Sequence, residues 1–194
     1  MRRLIITAFV SLDGVMEGPG GEKGYRNAGW TFNQLPHDDA VYELKEREQA
    51  EAGALLLGRR SYEAFAPVWP SMAEEFARYN ELPKYVVSSS LRPEDLVDGW
   101  GEITILRSLD EVARLKDGDG GPLLVQGSSD LGHSLAEAGL VDRYHLLVFP
   151  LLLGAGKQLF PTRNKDVTRL QLIEHETFSN GVQKTILDVS REGS

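Results

Sequence analysis

The sequence predicts an α/β fold, a largely parallel sheet that ends in an antiparallel hairpin, and three observations carry the prediction. Short apolar runs recur at residues 4–10, 54–57, 85–87, 103–106, 123–125 and 144–149. They are continuous rather than alternating, which suits strands covered by helices on both faces. Helical patterns with their own start and stop signals lie between them, and such alternation gives parallel strands joined by right-handed crossovers. Finally, "TRLQLIEHETFSNGVQKTILDVS" alternates apolar and polar residues on both sides of "SNG", the mark of a hairpin.

The helices follow in chain order. "DDAVYELKEREQAEA" is highly charged, with a thin apolar stripe at Val41 and Leu44. "SMAEEFARYNEL" opens with Ser71 and Glu74 at capping-box spacing and places Met72, Phe76 and Tyr79 on one side. "SLDEVARLKDG" repeats that device with Ser108 and Glu111, carries Leu109, Val112 and Leu115, and stops at Gly118. "SSDLGHSLAEAGL" sets Leu131, Leu135 and Ala138 at i, i+4 and i+7 and stops at Gly139. With 194 residues and no repeat or low-complexity linker, the chain is expected to form a single domain over 1–194.

Composition narrows the function. Net charge is −8, which argues against a general nucleic-acid or anionic-membrane binder, so any anion site must be local. The absence of cysteine removes disulfides, thiolate catalysis and iron–sulfur clusters. The apolar start reads as a first strand rather than a signal peptide, and no run approaches the ~20 residues of a membrane span. A soluble protein of the cytoplasm is the expectation.

Three strand ends carry residues suited to anions. In "LLLGRRSYEAF", Gly58 permits a tight turn and Arg59, Arg60 and Ser61 fall in the first turn of a helix. Cations there oppose the helix macrodipole, an arrangement relieved if an anion binds both the guanidinium groups and the free N–H groups. Ordinary pairing with surface carboxylates is the alternative. In "LLVQGSSDLGHSL", a strand ends at Gly127 and Ser128 and Ser129 lead into a helix, a turn able to hold a pyrophosphate or simply an N-cap. "KYVVSSSLRP" places Ser88, Ser89 and Ser90 after a strand. All three lie at carboxyl ends, where parallel α/β sheets bind ligands, so together they indicate a dinucleotide.

The loop "SLDGVMEGPGGEKGYRNAGW" is long and glycine-rich, as lids and binding loops are, with Trp30 and Phe32 available to wall a pocket. Its neighbourhood supplies Asp13, Glu17, Asp38 and Asp39 as candidate proton donors, each a solvated carboxylate by default. His37, His133, His145 and His175 show no metal-ligand spacing, and no metal site is expected. G-x-S-x-G, P-loop and H-E-x-x-H motifs are absent.

"ITAFVSLDGVMEG", "LLLGRRSYEAF", "KYVVSSSL" and "LLVQGSSDLGHSLAEAGLVDRYHLLVFPLLLGAGKQLF", in this order, resemble the dihydrofolate-reductase-like superfamily. Specifically, the chain is similar to the C-terminal reductase domain of bifunctional riboflavin-biosynthesis proteins, over residues 2 to 190. The resemblance implies a three-layer α/β/α fold that binds NADPH and passes hydride to a small, heterocyclic or sugar-linked carbonyl or imine, as 5-amino-6-(5-phosphoribosylamino)uracil reductase does. It assigns Gly58, Arg59, Arg60 and Ser61 to the adenosine 2′-phosphate, and Ser88, Ser89 and Ser90 to the loop beside the adenosine. Gly127, Ser128, Ser129 and Leu131 match the turn at the pyrophosphate, although Gln126 stands where a Gly-Gly pair is commoner. Asp13 and Gly14 match the loop near the nicotinamide, and "LPHDD" resembles the dihydrofolate reductase segment whose aspartate meets the pteridine, here Asp38. Asp13, Asp38 and Tyr42 are the proton-donor candidates, and a homodimer is implied. A non-catalytic NADPH-binding sensor and a true dihydrofolate reductase remain the alternatives.

Overall fold

The first strand, β1 (Leu4–Ser11), shows why the sheet forms: almost every residue in it is buried, on both faces. It holds the middle of one eight-stranded sheet, seen in a computed structural model that describes residues 1–72, 74–160 and 167–190. The others are β2 (Ala54–Gly58), β3 (Lys84–Val87), β4 (Ile103–Leu106), β5 (Leu123–Gln126), β6 (Arg143–Phe149), β7 (Leu170–Thr177) and β8 (Gln183–Val189). The order is β4-β3-β2-β5-β1-β6-β8-β7. β1 to β6 run parallel, and β8 and β7 close one edge antiparallel, as the alternation around "SNG" predicts. The chain leaves β1 toward β2 on one side and leaves β5 toward β6 on the other. That makes the β5–β1 boundary the topological switch point, where a ligand crevice forms at the carboxyl ends.

Helices cover both faces: α1 (Trp30–Asn33), α2 (Glu43–Glu51), α3 (Arg59–Phe65), α4 (Ala77–Glu81), α5 (Leu109–Asp117) and α6 (Ser129–Glu137). Leu4, Ile6, Ala8 and Val10 of β1 pack with Val112 of α5 and Leu131 and Leu135 of α6. Ile5 packs on the opposite face with Leu55, Leu57, Tyr62 and Trp69, and Phe9 packs there beside Val41, Leu44 and Trp30. Ser108 caps α5 as expected, accepting from the Glu111 N–H, while Glu111 accepts from the Arg107 N–H.

One helix differs from expectation. Apart from residue 73, which lies outside the described residues, the segment 71–82 holds only α4, preceded by a 3₁₀ turn at Trp69–Ser71. Ser71 does not cap; its hydroxyl donates to the Val68 carbonyl at 2.7 Å. Aromatic packing decides the local geometry: Trp69 stacks on Phe65 at 4.3 Å and on Phe76 at 4.5 Å, which fixes the turn at Pro70.

Candidate active site

The three strand ends meet at one rim. After Gln126 the chain turns through Gly127 (φ 65°) and Ser128 (φ 65°, ψ 70°) into α6. Ser128 is the one non-glycine residue with positive φ among the described residues, a conformation that costs on the order of 1 kcal/mol. Its hydroxyl offsets the strain. It accepts from the Gly58 N–H at 3.2 Å and meets the Ser61 hydroxyl at 2.5 Å, tying the β5–α6 turn to the β2–α3 turn. A side chain at position 58 would crowd this contact, since a Cβ would stand 3.3 Å from Ser128 Oγ and 3.5 Å from Leu131 Cβ.

Arg59 spans to the third strand end. Its Nη1 donates to Ser90 Oγ at 2.8 Å and its Nε to Glu63 at 2.6 Å. Ser88 organises that loop by accepting from the Ser90 and Leu91 N–H groups, and Ser89 is exposed beside it. Arg107, which the sequence did not single out, braces the same loop by donating to the carbonyls of Ser88 and Leu91. Arg60 lies 3.6 Å from Asp130, both side chains about three-quarters exposed. α3 is only seven residues long, so the guanidinium groups, rather than its dipole, give this rim its anion chemistry.

The loop after β1 is anchored rather than loose. Asp13 accepts from Ser11 Oγ (2.5 Å) and from the N–H groups of Leu153 (3.2 Å) and Gly154 (2.7 Å). The Ser11 hydroxyl, with those backbone N–H groups, holds the Asp13 carboxyl below its ordinary range. Gly14 (φ 86°) lies against the Gln158 side-chain amide, which in the orientation that satisfies its hydrogen bonding donates to the carbonyls of Asp13 and Gly14. Ser129 and His133 grip the carbonyls of residues 158 and 159 from α6. Trp30 belongs to the core, fully buried with its Nε1 on the Glu17 carbonyl, whereas Phe32 is exposed and stacks parallel to Tyr42 at 6.0 Å.

Asp38 caps the 3₁₀ turn Asp39–Tyr42 and accepts from the N–H and hydroxyl of Ser179, which staples the β7–β8 hairpin to the α2 side. The Ser179 hydroxyl holds its carboxyl low as well. Tyr42 stacks between Phe32 and His37, 6.2 Å from Phe9, and burial pushes its phenol up. Of the three proton-donor candidates, the two carboxylates are therefore acceptors in ionised form, and Tyr42 alone keeps a proton at neutral pH.

Beneath Phe9 lies a polar cluster that sequence reasoning missed. Glu48 of α2 accepts from Thr7 Oγ1 (2.7 Å), Lys45 Nζ (3.1 Å) and His145 Nδ1 (2.9 Å), and Lys45 Nζ also donates to Thr7. Thr7 pairs in register with Gln126 on one side and His145 on the other, so the three form a row across β5, β1 and β6. Burial pushes Glu48 up, but the Lys45 ammonium and the His145 bond outweigh it and leave the carboxyl low.

The model of the RibD C-terminal domain family matches residues 2–184. The chain belongs to that family. The chain is 27% identical over 191 residues to the uncharacterized protein YyaP of Bacillus subtilis, covering 95% of this chain and 94% of that one. The fold is similar to a putative riboflavin biosynthesis protein from Shewanella sp. PV-4, with TM-score 0.73, 18% identity, and 97% and 99% of the two chains covered. It is also similar to dihydrofolate reductase from Enterococcus faecalis, whose structure holds NADP(H), with TM-score 0.61, 15% identity and 97% of each chain covered. This RibD C-terminal domain thus has a reductase-type fold, dihydrofolate-reductase-like in its sheet, and none of its described helices is long and apolar enough to cross a membrane.

Proposed function

We propose that the protein is an NADPH-dependent reductase of a small heterocyclic or sugar-linked carbonyl or imine, working in the cytoplasm. One observation carries the reading: Gly58, Arg59, Ser61, Ser90 and Ser128, from three separate strand ends, are hydrogen-bonded into one rim at the switch point. The residues fit the dinucleotide. The Gly127–Ser128 turn leaves backbone room at the start of the nine-residue α6, where a pyrophosphate would sit with Ser129 and Leu131 beside it. Arg59 and Arg60 would trade Glu63 and Asp130 for the 2′-phosphate, and Ser88, Ser89 and Ser90 would line the adenosine. Gly14 would approach the nicotinamide end. The dinucleotide supplies the hydride, and the chain orients it.

Phe32, exposed and stacked on Tyr42, offers a flat apolar face for a heterocycle. Riboflavin biosynthesis is the pathway that family membership supports. The edge strand β7, with Leu170, Leu172 and Ile173 exposed, supports a homodimer, which sedimentation would reveal.

The experiment is a fluorescence titration of the purified protein with NADPH and, separately, NADH. The expected result is NADPH binding in the micromolar range with weaker NADH binding. No binding at high micromolar NADPH refutes the proposal.

A further inference from the structure

The cluster beneath Phe9 is built as a site, and the cofactor rim makes no use of it. Glu48 is 1% exposed in its side chain and His145 5%, whereas Lys45 keeps 15%, so the cluster reaches solvent at the lysine. The Thr7 hydroxyl gives its single hydrogen to Glu48 and receives Lys45 on a lone pair. Two of the three ammonium hydrogens are thereby committed, and the third has no acceptor among the described residues. Nζ lies 4.8 Å from the centroid of the Phe9 ring, whose ring–ring contacts among the described residues are with Tyr42 and Phe149. The Thr7 carbonyl accepts the Gly127 N–H at 3.3 Å, so the cluster stands directly beside the turn that the cofactor reading uses. Level with Thr7, Gln126 holds a buried Oε1 with no partner among the described residues. Buried ionic groups are seldom worth more to stability than apolar side chains of the same size, so a cluster in this position calls for a chemical role.

Resting on the reductase reading, we propose that Lys45 holds and protonates the hydride-accepting C=O or C=N, and that Glu48, Thr7 and His145 are positioning residues for its ammonium. As the carbon gains hydride, the π pair moves onto the oxygen or nitrogen, which takes a proton from Nζ. The substrate gains two electrons and two hydrogens, the nicotinamide is oxidised, and Lys45 regains its proton from water at its exposed edge. A fixed ammonium aimed at developing negative charge in a water-poor site is strongly stabilising there. The substrate is a C=O or C=N compound that meets Nζ at the exposed edge of the cluster beside Phe9.

The test supplies the filtered small-molecule fraction of a cell extract as substrate and follows NADPH consumption by wild type, Lys45→Ala, Lys45→Gln and Glu48→Gln. NADPH affinity is measured by fluorescence in each, and the Lys45 side-chain nitrogen by NMR in the cofactor-free protein. Expected are a loss of about 100-fold in Lys45→Ala, NADPH affinity within about twofold of wild type, and partial rescue by added ethylammonium, which a merely structural defect would not show. Glu48→Gln should lose the slowly exchanging Lys45 ammonium signal without losing NADPH. Lys45→Gln, which keeps the stem, covers a failure of Lys45→Ala to fold. Lysine variants that consume NADPH at the wild-type rate, or that are slow, unrescued and weak for NADPH, overturn this role alone. Wild type that binds NADPH yet consumes none overturns the reductase reading and this role together.

Discussion

The strand-end rim and the cluster under α2 both join cations to carboxylates, yet they are opposite kinds of electrostatic construction. At the rim, Arg59–Glu63 and Arg60–Asp130 are roughly half to three-quarters exposed, screened by water, and worth little as pairs. Such pairs exchange partners cheaply, which suits a surface that must receive and release a phosphate. Under α2, Glu48 and His145 are enclosed and Lys45 nearly so, and the attraction between the Lys45 ammonium and the Glu48 carboxylate is little screened. A cluster of that kind holds one geometry. Binding is served by the first arrangement and chemistry by the second.

The largest expected effect breaks the cluster. Glu48→Ala leaves Lys45 and His145 without their carboxylate and should cost about 3–5 kcal/mol in urea denaturation, while Arg60→Ala should stay within about 0.5 kcal/mol of wild type. Equal effects would erase the distinction between the two regions.

A second buried lysine sharpens it. Lys84 has no carboxylate partner among the described residues; its Nζ donates to the carbonyls of Asn80 (2.7 Å) and Leu82 (2.8 Å), and burial pushes it down to about 8 from 10.5. The unfolded chain therefore binds more protons than the folded one between those values. Stability should rise by roughly 1–3 kcal/mol as pH climbs through that window, and fall as pH drops back. Lys84→Met should flatten the rise, as read by urea unfolding at several pH values.

Asp13 comes next. Its carboxyl is held low, so its contribution is present above the ordinary carboxylate range and lost as pH falls through the lowered value. Asp13→Asn should remove about 1 kcal/mol and raise protease sensitivity around residues 153–154. The smallest expected effect is Asp130→Asn. It frees Arg60 and removes an acidic group from the first turn of α6, and should tighten NADPH about two- to fivefold.

The sheet was legible in the sequence because its central strands are buried on both faces and so read as unbroken apolar runs, and the hairpin because its residues alternate on both sides of "SNG". The rim was legible because each piece is local, a strand end followed at once by Gly58-Arg59-Arg60-Ser61 or Gly127-Ser128-Ser129. The 71–82 segment misled because its spacing fits a helix, while Trp69 stacking is a tertiary effect that overrides it. The Lys45 cluster was hidden because Thr7, Glu48 and His145 are far apart in the chain and α2 looks like a solvated charged helix. A signal existed: Glu48 falls at i+4 from Leu44 and i+7 from Val41, on the apolar stripe, and His145 interrupts an apolar strand.

The central claim is that Arg59 and Arg60 receive the phosphate that distinguishes NADPH from NADH. Dissociation constants of both nucleotides for wild type and the Arg59→Ala/Arg60→Ala double variant test it directly. The account predicts a loss of roughly 1.5–3 kcal/mol per charge-assisted bond for NADPH and little change for NADH. Equal losses for the two nucleotides would contradict it.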